Sequence, residues 1–123
     1  MAGLLSLFKR KRPEEIRCSA IIVAAGSARR MEGIDKMLAP LGELPVLVHT
    51  LYAFQDCPAI QEIVVVTRED LLVEVGRICK DFAFDKVTKV IVGGQERIHS
   101  VRAGLGEVDR SSNLIAIHDG ARP

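Results

Sequence analysis

The sequence has few cysteines and no excess of charge of either sign. Its three cysteines, Cys18, Cys57 and Cys79, are far apart and form no C-x-x-C pair. An odd number of widely spaced cysteines argues against a disulfide framework and against a zinc site, and it fits a protein of the reducing cytoplasm. The 17 basic and 16 acidic residues leave a net charge of +1. The total charge therefore predicts no nucleic acid and no anionic membrane as a partner, and any anion site must be local.

The N-terminal segment does not have the arrangement of a signal peptide. Its apolar part, GLLSLF, precedes the basic run KRKRP and is too short to cross a bilayer. Residues 1–17 are therefore predicted to form a basic, poorly ordered tail. The rest of the chain, residues 18–123, is predicted to form one domain.

Four apolar runs of strand length follow this tail. They are rich in β-branched residues and continuous rather than alternating, and they occupy positions 20–23, 63–66, 90–92 and 114–117. Such runs are typical of strands that are covered on both faces, as in a parallel sheet flanked by helices.

Helical periodicity appears between the runs. One helix is predicted to begin near Pro45 and a second to span Asp70–Phe82, with side chains of Thr67–Asp70 offered as its cap. A third is predicted after Gln95, and its buried stripe is expected to consist of Ile98, Val101, Leu105 and Val108. This alternation predicts a Rossmann-like, doubly wound and mostly parallel sheet, which binds ligands at the carboxyl ends of its strands.

Clusters of small and polar residues follow three of the four predicted strands. AAGSARR follows the first strand, GGQER the third and HDGARP the fourth. Because the carboxyl ends of parallel strands lie at the same edge of a sheet, the three clusters are expected to converge. Asp119, at the end of an apolar strand, must be paired, capped or bound to a cation.

The first cluster belongs to neither of two familiar phosphate-binding loops. Gly26 is followed by Ala28 and Met31 where a dinucleotide fingerprint needs glycine, and Lys36 is followed by Met37 where a Walker A loop needs a hydroxyl. One interpretation is a loop that brings Arg30 and Lys36 to a single anion, with Gly26 allowing close approach. The other is that the arginines are solvated surface residues, and the loop alone does not decide between them.

The three clusters together resemble the 2-C-methyl-D-erythritol 4-phosphate cytidylyltransferase family. The first cluster is shared with many nucleotidyltransferases, whereas the second and third are more specific. The resemblance runs from about Cys18 to the last residue and rests on AAGSARRM with Asp35-Lys36, GGQERIHSVRAGL at 93–105 and IHDGARP at 117–123.

The resemblance implies a sheet of the nucleotidyltransferase type and a defined reaction. A cytidylyl group would pass from CTP to the phosphate of methylerythritol phosphate, with pyrophosphate released, in non-mevalonate isoprenoid biosynthesis. The family also implies Mg²⁺ and, for the full-length protein, a homodimer. No side-chain nucleophile is needed, since the attacking substrate phosphate is already ionised and catalysis is mainly positioning and charge neutralisation.

The resemblance also implies roles for residues of all three clusters. Arg30 and Lys36 would lie against the triphosphate and stabilise the negatively charged phosphorus of the transition state. Asp119 would lie near the ribose, the metal and the substrate, Gly120 would bind the substrate, and Arg122 would lie near the substrate phosphate. Nucleotide contacts, including the cytosine pocket, are implied for Ala24, Ala25, Gly26, Gly94, Gln95 and Ser100.

The sequence departs from the family pattern in two residues and in length. Ala28 stands where the family usually has glycine, and Asp35, where proline is common, places a negative charge beside Lys36. The family is roughly twice as long as this chain. We therefore expect an N-terminal fragment with an uncovered sheet edge, inactive or weakly active by itself. The alternatives are a ribitol-phosphate or molybdenum-cofactor nucleotidyltransferase, or an inactive module that binds nucleotide.

Overall fold

The computed structural model describes residues 16–25, 30–31, 34–35 and 37–122, with only the backbone at 30–31 and 34–35. Residues 1–15 of the predicted basic tail lie outside this part of the chain. Within it, no helix is both long enough and apolar enough to cross a membrane.

The strands of the described part of the chain are β1 (Cys18–Ala24), β2 (Arg30–Met31), β3 (Ile34–Asp35), β4 (Pro40–Leu41), β5 (Leu44–Pro45), β6 (Ile60–Thr67), β7 (Val87–Val92) and β8 (Leu114–Asp119). Four of them form the parallel sheet at the centre of the fold, in the order β7-β6-β1-β8. Two short antiparallel ladders, β2 with β3 and β4 with β5, lie in the connection that follows β1.

Three helices connect the strands of the sheet in the described part of the chain. They are α1 (Val46–Gln55), α2 (Leu72–Asp81), which follows a 3-10 turn at Glu69–Leu71, and α3 (Arg97–Leu105). Residues of α1 and α2, such as Leu47 and Val75, pack with Ile22 against one face of the sheet. Val101 of α3 packs with Ile21 against the other face. The predicted doubly wound, mostly parallel fold is thereby confirmed.

All four predicted apolar runs lie within strands of the sheet. β1 is buried along its whole length, and Ile63–Val66 of β6 is completely buried. After β7 the chain crosses to the other side of β1 to form β8, so the strand order reverses next to β1. A reversal of this kind opens a crevice at the carboxyl ends of the strands, which is where doubly wound proteins bind ligands.

The predicted buried stripe of α3 is wrong for two of its four residues. Ile98 is 57% exposed and Leu105 is 46% exposed, and the helix turns Ser100 and Gly104 towards the sheet instead. The reason is distance, because a Cβ atom at Gly104 would lie 2.7 Å from Cγ2 of Ile21. A helix this close to a sheet needs small residues on its inner face.

The predicted side-chain cap of α2 is also wrong. Neither Arg68, before the 3-10 turn, nor Leu71, before α2, makes a side-chain capping hydrogen bond. The carboxylate of Asp70 forms an ion pair with Arg68 instead, with Oδ1 3.0 Å from Nε.

A buried polar cluster, not predicted from the sequence, lies at the opposite end of the sheet from the clusters of small residues. The carboxylate of Glu62, a 9% exposed residue, accepts hydrogen bonds from the hydroxyl of Ser19 at 2.7 Å and of Thr88 at 3.1 Å. It also accepts one from the backbone N–H of Asp109 at 2.7 Å. The backbone N–H of Ser111 in turn lowers the pKa of the Asp109 carboxyl. This cluster ties the α3–β8 connection to the sheet.

Burial makes the thiol of Cys79 a testable probe of this fold, because it raises the pKa of that thiol from 9.0 to about 11. Since the thiolate is the nucleophile, we expect iodoacetamide at pH 8 to alkylate the half-buried Cys57 at least about tenfold faster than Cys79. Peptide mass spectrometry against time gives both rates, and the two should converge in 8 M urea. Equal rates in the native protein would contradict the burial of Cys79.

The raised pKa of Cys79 also makes the stability of the folded protein depend on pH. The folded protein holds the proton of Cys79 more tightly than the unfolded chain does. The stabilisation from keeping the thiol neutral is therefore complete below pH 9 and is lost as the pH rises towards about 11.

Candidate active site

The carboxyl ends of β1, β6, β7 and β8 meet at one edge of the sheet, as the sequence predicts. The backbone N–H of Gly93, after β7, donates to the carbonyl of Thr67 at the end of β6 at 2.9 Å. That of Gly120, after β8, donates to the carbonyl of Val23 in β1 at the same distance. The described parts of the three clusters thus form one continuous rim.

An open cleft of about 430 Å³ lies on this rim. Ala25, Gly94 and Gln95, three of the residues assigned to the nucleotide, line it. Ser100 and Ala24 are buried and are not among the described residues that line it. A second cleft, of about 440 Å³, lies between α2 and β7, and none of the residues lining it belongs to the three clusters.

Gly93 allows the backbone after β7 to lie very close to its neighbours at the rim. A Cβ atom at this position would lie 2.9 Å from Cβ of Ala25 and 2.7 Å from Cγ1 of Val66, and closer still to Oγ of Ser100. All three neighbours are buried. The backbone directly after β7 can therefore lie this close to Ala25, Val66 and Ser100 only because residue 93 has no side chain.

Arg68 and Glu69 also line the cleft, and sequence analysis missed both as site residues. The side chain of Arg68 is 21% exposed and binds both carboxylate oxygens of Asp70, at 3.0 and 3.3 Å. The signal was present in the sequence, because TRED directly follows the second apolar run. Applying the carboxyl-end rule to that strand as well would have placed Arg68 at the rim.

Asp119 stands at the end of β8, next to the strand-order reversal. Its Oδ1 lies 3.3 Å from Nη2 of Arg97, and its Oδ2 lies 3.7 Å from Nε of Arg122. The expectation that this carboxylate must be paired is confirmed. Arg97 was not predicted as a site residue, although it lies within the second cluster at the first position of α3. The pair links the second cluster to the third.

The two predicted catalytic cations lie outside the part of the chain whose side chains are described. This holds for the side chain of Arg30 and for Lys36, and Gly26 is likewise outside it. The backbone of Arg30 pairs with that of Asp35 in the β2–β3 ladder. Directly after Lys36, Met37 is buried in the core, and its carbonyl accepts a hydrogen bond from the N–H of Leu47 at 3.0 Å. The residue that directly follows Lys36 is therefore anchored to the first turn of α1.

The carboxylate of Asp119 fits a magnesium ion that arrives with a triphosphate. Among the described residues, no three His, Cys, Asp or Glu side chains are grouped so that they could hold a metal by themselves. Magnesium usually binds through one or two carboxylates and takes its other ligands from phosphate and water. Asp119 would supply one such carboxylate in exchange for its ion pairs with Arg97 and Arg122.

The strand order, the helices on both faces and the site at the carboxyl edge define an α/β fold of the nucleotidyltransferase type. Comparison with known proteins makes the assignment specific. The model of one family, described as IspD: 2-C-methyl-D-erythritol 4-phosphate cytidylyltransferase, matches residues 18–123. The chain belongs to this family.

Individual relatives agree with the family match. The chain is 44% identical over 107 residues to 2-C-methyl-D-erythritol 4-phosphate cytidylyltransferase of Dehalococcoides mccartyi strain CBDB1, covering 87% of this chain and 47% of the relative. It is 42% identical over 106 residues to the protein of that name from Clostridium botulinum strain Okra, covering 85% and 46%. The chain thus spans about half the length of these curated relatives.

A solved structure supports the same assignment. The fold matches 4-diphosphocytidyl-2C-methyl-D-erythritol synthase from Anaerococcus prevotii with a TM-score of 0.71 at 29% sequence identity. The match covers 86% of this chain and 44% of that one.

Proposed function

We propose that this chain is the nucleotide-binding half of an enzyme that transfers a cytidylyl group from CTP to 2-C-methyl-D-erythritol 4-phosphate. The observation that carries the proposal is the convergence of the β1, β7 and β8 clusters on one rim in a member of this family. The relatives described above are named for methylerythritol phosphate. A ribitol-phosphate or molybdenum-cofactor nucleotidyltransferase is therefore not favoured.

The reaction needs no covalent enzyme intermediate. An oxygen of the acceptor phosphate attacks the α-phosphorus of CTP, the bond from that phosphorus to the bridging oxygen of the β-phosphate breaks, and pyrophosphate leaves. Negative charge accumulates on the phosphoryl oxygens in the transition state. Catalysis therefore consists of holding the two phosphates in line and of neutralising this charge.

The described residues suit the nucleotide end of this reaction. Ala25 and Gly94 leave room for a flat pyrimidine ring in the cleft, and Gln95 offers an amide to its edge. Asp119 would hold a magnesium ion, which supplies charge neutralisation on the phosphates when bound. Arg122, exposed at the end of the rim, would bind the acceptor phosphate.

Arg30 and Lys36 complete the proposed site. In this proposal their charges lie against the triphosphate and stabilise the transition state. Nucleotide contacts are likewise proposed for Gly26, Ala24 and Ser100, the last two of which are buried.

The family resemblance also supports three proposals about the longer protein. It would act in the cytoplasm, with residues 1–17 as a basic tail and residues 18–123 as the nucleotide-binding portion. It would form a homodimer. Sedimentation of the longer protein would reveal a mass of one or two protomers and so decide the last point.

A chimaera tests the reaction. Residues 18–123 would replace the matching segment of the Dehalococcoides mccartyi relative, and pyrophosphate release from CTP and methylerythritol phosphate would be measured. We expect turnover in the chimaera and little or none in the 123-residue chain alone, because the chain spans only about half the length of its relatives. A folded chimaera that turns over neither CTP nor GTP would refute the enzyme proposal.

Direct measurement of nucleotide binding tests the proposal without the chimaera. CTP would be titrated into the 123-residue chain by calorimetry in excess magnesium, with GTP as the competitor. Preference for CTP supports the cytidylyltransferase, and preference for GTP would favour a guanylyltransferase. Absence of binding in a folded chain would contradict the assignment of the cleft to a nucleotide.

A further inference from the structure

The turn that carries Asp119 is held from behind by α1. The hydroxyl of Thr50, a fully buried residue of α1, donates to the carbonyl oxygen of Gly120 at 2.8 Å. The same hydroxyl is 3.4 Å from the carbonyl oxygen of Val46, one helical turn earlier. Since a hydroxyl has a single hydrogen to donate, the shorter hydrogen bond, to Gly120, is the stronger of the two. Thr50 therefore binds the turn more strongly than it binds its own helix.

Both polar backbone groups of Gly120 are fixed by other elements. Its N–H donates to the carbonyl of Val23 in β1 at 2.9 Å, and its carbonyl accepts from Thr50. A Cβ atom at Gly120 would lie 3.1 Å from Cδ1 of Leu47 and 3.2 Å from Cβ of Ala24. The turn is thus clamped between the first strand and the first helix.

A second contact between α1 and the turn runs through His118. Its ring lies 5.2 Å, centre to centre, from that of Phe54 in α1, and its Nε2 is hydrogen-bonded to the carbonyl of Arg122. The two ends of the turn are therefore supported by α1, one by Thr50 and the other by Phe54 through His118.

We propose that Thr50 is a positioning residue that acts through Gly120 to aim the Asp119 carboxylate at the nucleotide. This inference rests on the proposed function, because it takes Asp119 to face the triphosphate and its magnesium ion. Thr50 is fully buried and is not among the described residues that line the cleft. Valine at this position would keep the volume but leave the Gly120 carbonyl buried without its donor, which is the costly way to lose a hydrogen bond.

Site-resolved hydrogen exchange on the 123-residue chain tests the structural step. In Thr50→Val, the amides of Gly120 and Arg122 should exchange about tenfold faster, while those of Ile22 and Val65 in the core change by less than about threefold. Thr50→Ser keeps the hydroxyl and should restore protection at the turn. A uniform increase at all four amides would overturn the proposal, because it would mean that Thr50 supports the whole fold.

A matched control and a milder variant complete the hydrogen-exchange experiment. Thr88→Val also removes a hydroxyl that hydrogen-bonds within the protein, but at the Glu62 cluster, so the turn should be unaffected. If Thr50→Val does not fold, Thr50→Cys provides a weaker donor of similar size and should give a smaller change at the same amides. No change at the turn in Thr50→Cys would then contradict the proposal.

Ligand affinity tests the functional step. By NMR titration, Thr50→Val should raise the Kd of CTP in excess magnesium by about tenfold and leave that of cytidine, which has no phosphate, within about twofold. Equal weakening of both ligands, or of neither, would overturn the positioning role. If the wild-type chain binds no CTP, the proposed function fails, whereas the exchange pattern still decides whether Thr50 fixes the turn.

Discussion

Replacing Gly93 with alanine is expected to lower the free energy of unfolding by about 2 kcal/mol and to abolish measurable CTP binding. The added methyl group would lie 2.7 Å from Cγ1 of Val66 and 2.9 Å from Cβ of Ala25, inside normal contact distance of both. Neither neighbour can move away, since Val66 is fully buried in β6 and Ala25 forms the wall of the cleft. The backbone after β7 must therefore move away from the ends of β6 and β1, and this movement changes the shape of the cleft.

Gly76→Ala is the matched control for this prediction. Gly76 lies in α2, and a Cβ atom there would meet nothing within 4 Å. Because alanine is the better helix former, this variant should be about 0.5–1 kcal/mol more stable than the wild type. Urea unfolding and CTP calorimetry on both variants give the comparison. If Gly93→Ala has the same free energy of unfolding and the same CTP affinity as the wild type, the backbone at residue 93 does not lie as close to Val66 and Ala25 as the structure has it.

The sheet could be predicted from sequence because its two central strands, β1 and β6, are buried on both faces. The continuous runs at Ile63–Val66 and Ala20–Val23 can be stable only where helices cover both sides, and this requirement fixes the fold class. The ends of the strands were harder to predict, since β7 begins at Val87 and not at Val90. Thr88 and Lys89 interrupt the apolar run because this strand is partly exposed.

The inner face of α3 could not be predicted, because it depends on a distance that periodicity does not contain. An apolar stripe at helical spacing normally marks the buried face. Here the helix axis lies so close to the sheet that Ser100 and Gly104 take the inner positions, and Ile98 and Leu105 are left outside. Only the packing against Ile21 reveals why the small residues are inside.

The residues of the candidate site that could be predicted are those whose position follows from the sequence immediately around them. Ala25, Gly94, Gln95 and Asp119 lie at or just after the carboxyl ends of strands, so the carboxyl-end rule was enough to place them at the rim. Thr50 gave no such signal, because it reaches Gly120 across 70 positions of the chain. Buried polar groups such as Glu62 and Thr50 are recognised only when their partners are known, and this limits what a single sequence can show.

Arg30→Ala and Lys36→Ala are each expected to lower the turnover number of the active chimaera about a hundredfold, equivalent to about 3 kcal/mol of transition-state stabilisation. The reason is that negative charge increases around the α-phosphorus as the acceptor oxygen attacks, and each cation would neutralise part of it. Because the charge develops only in the transition state, the turnover number should fall more than the KM for CTP rises. Steady-state pyrophosphate release at varied CTP concentration gives both constants.

Two exposed cations on α2 serve as controls for these variants. Arg77 lies on the helix surface, with its Nη1 3.2 Å from the carboxylate of Glu74, and Lys80 is exposed one helical turn after Gly76. Arg77→Ala and Lys80→Ala remove the same charges far from the rim, and surface changes of this kind are worth about 0.5 kcal/mol or less. Their turnover should therefore match that of the parent chimaera. A loss of the same size in all four variants would mean that net charge, and not a local anion site, controls the rate, whereas full activity in Arg30→Ala and Lys36→Ala would remove both residues from the catalytic site.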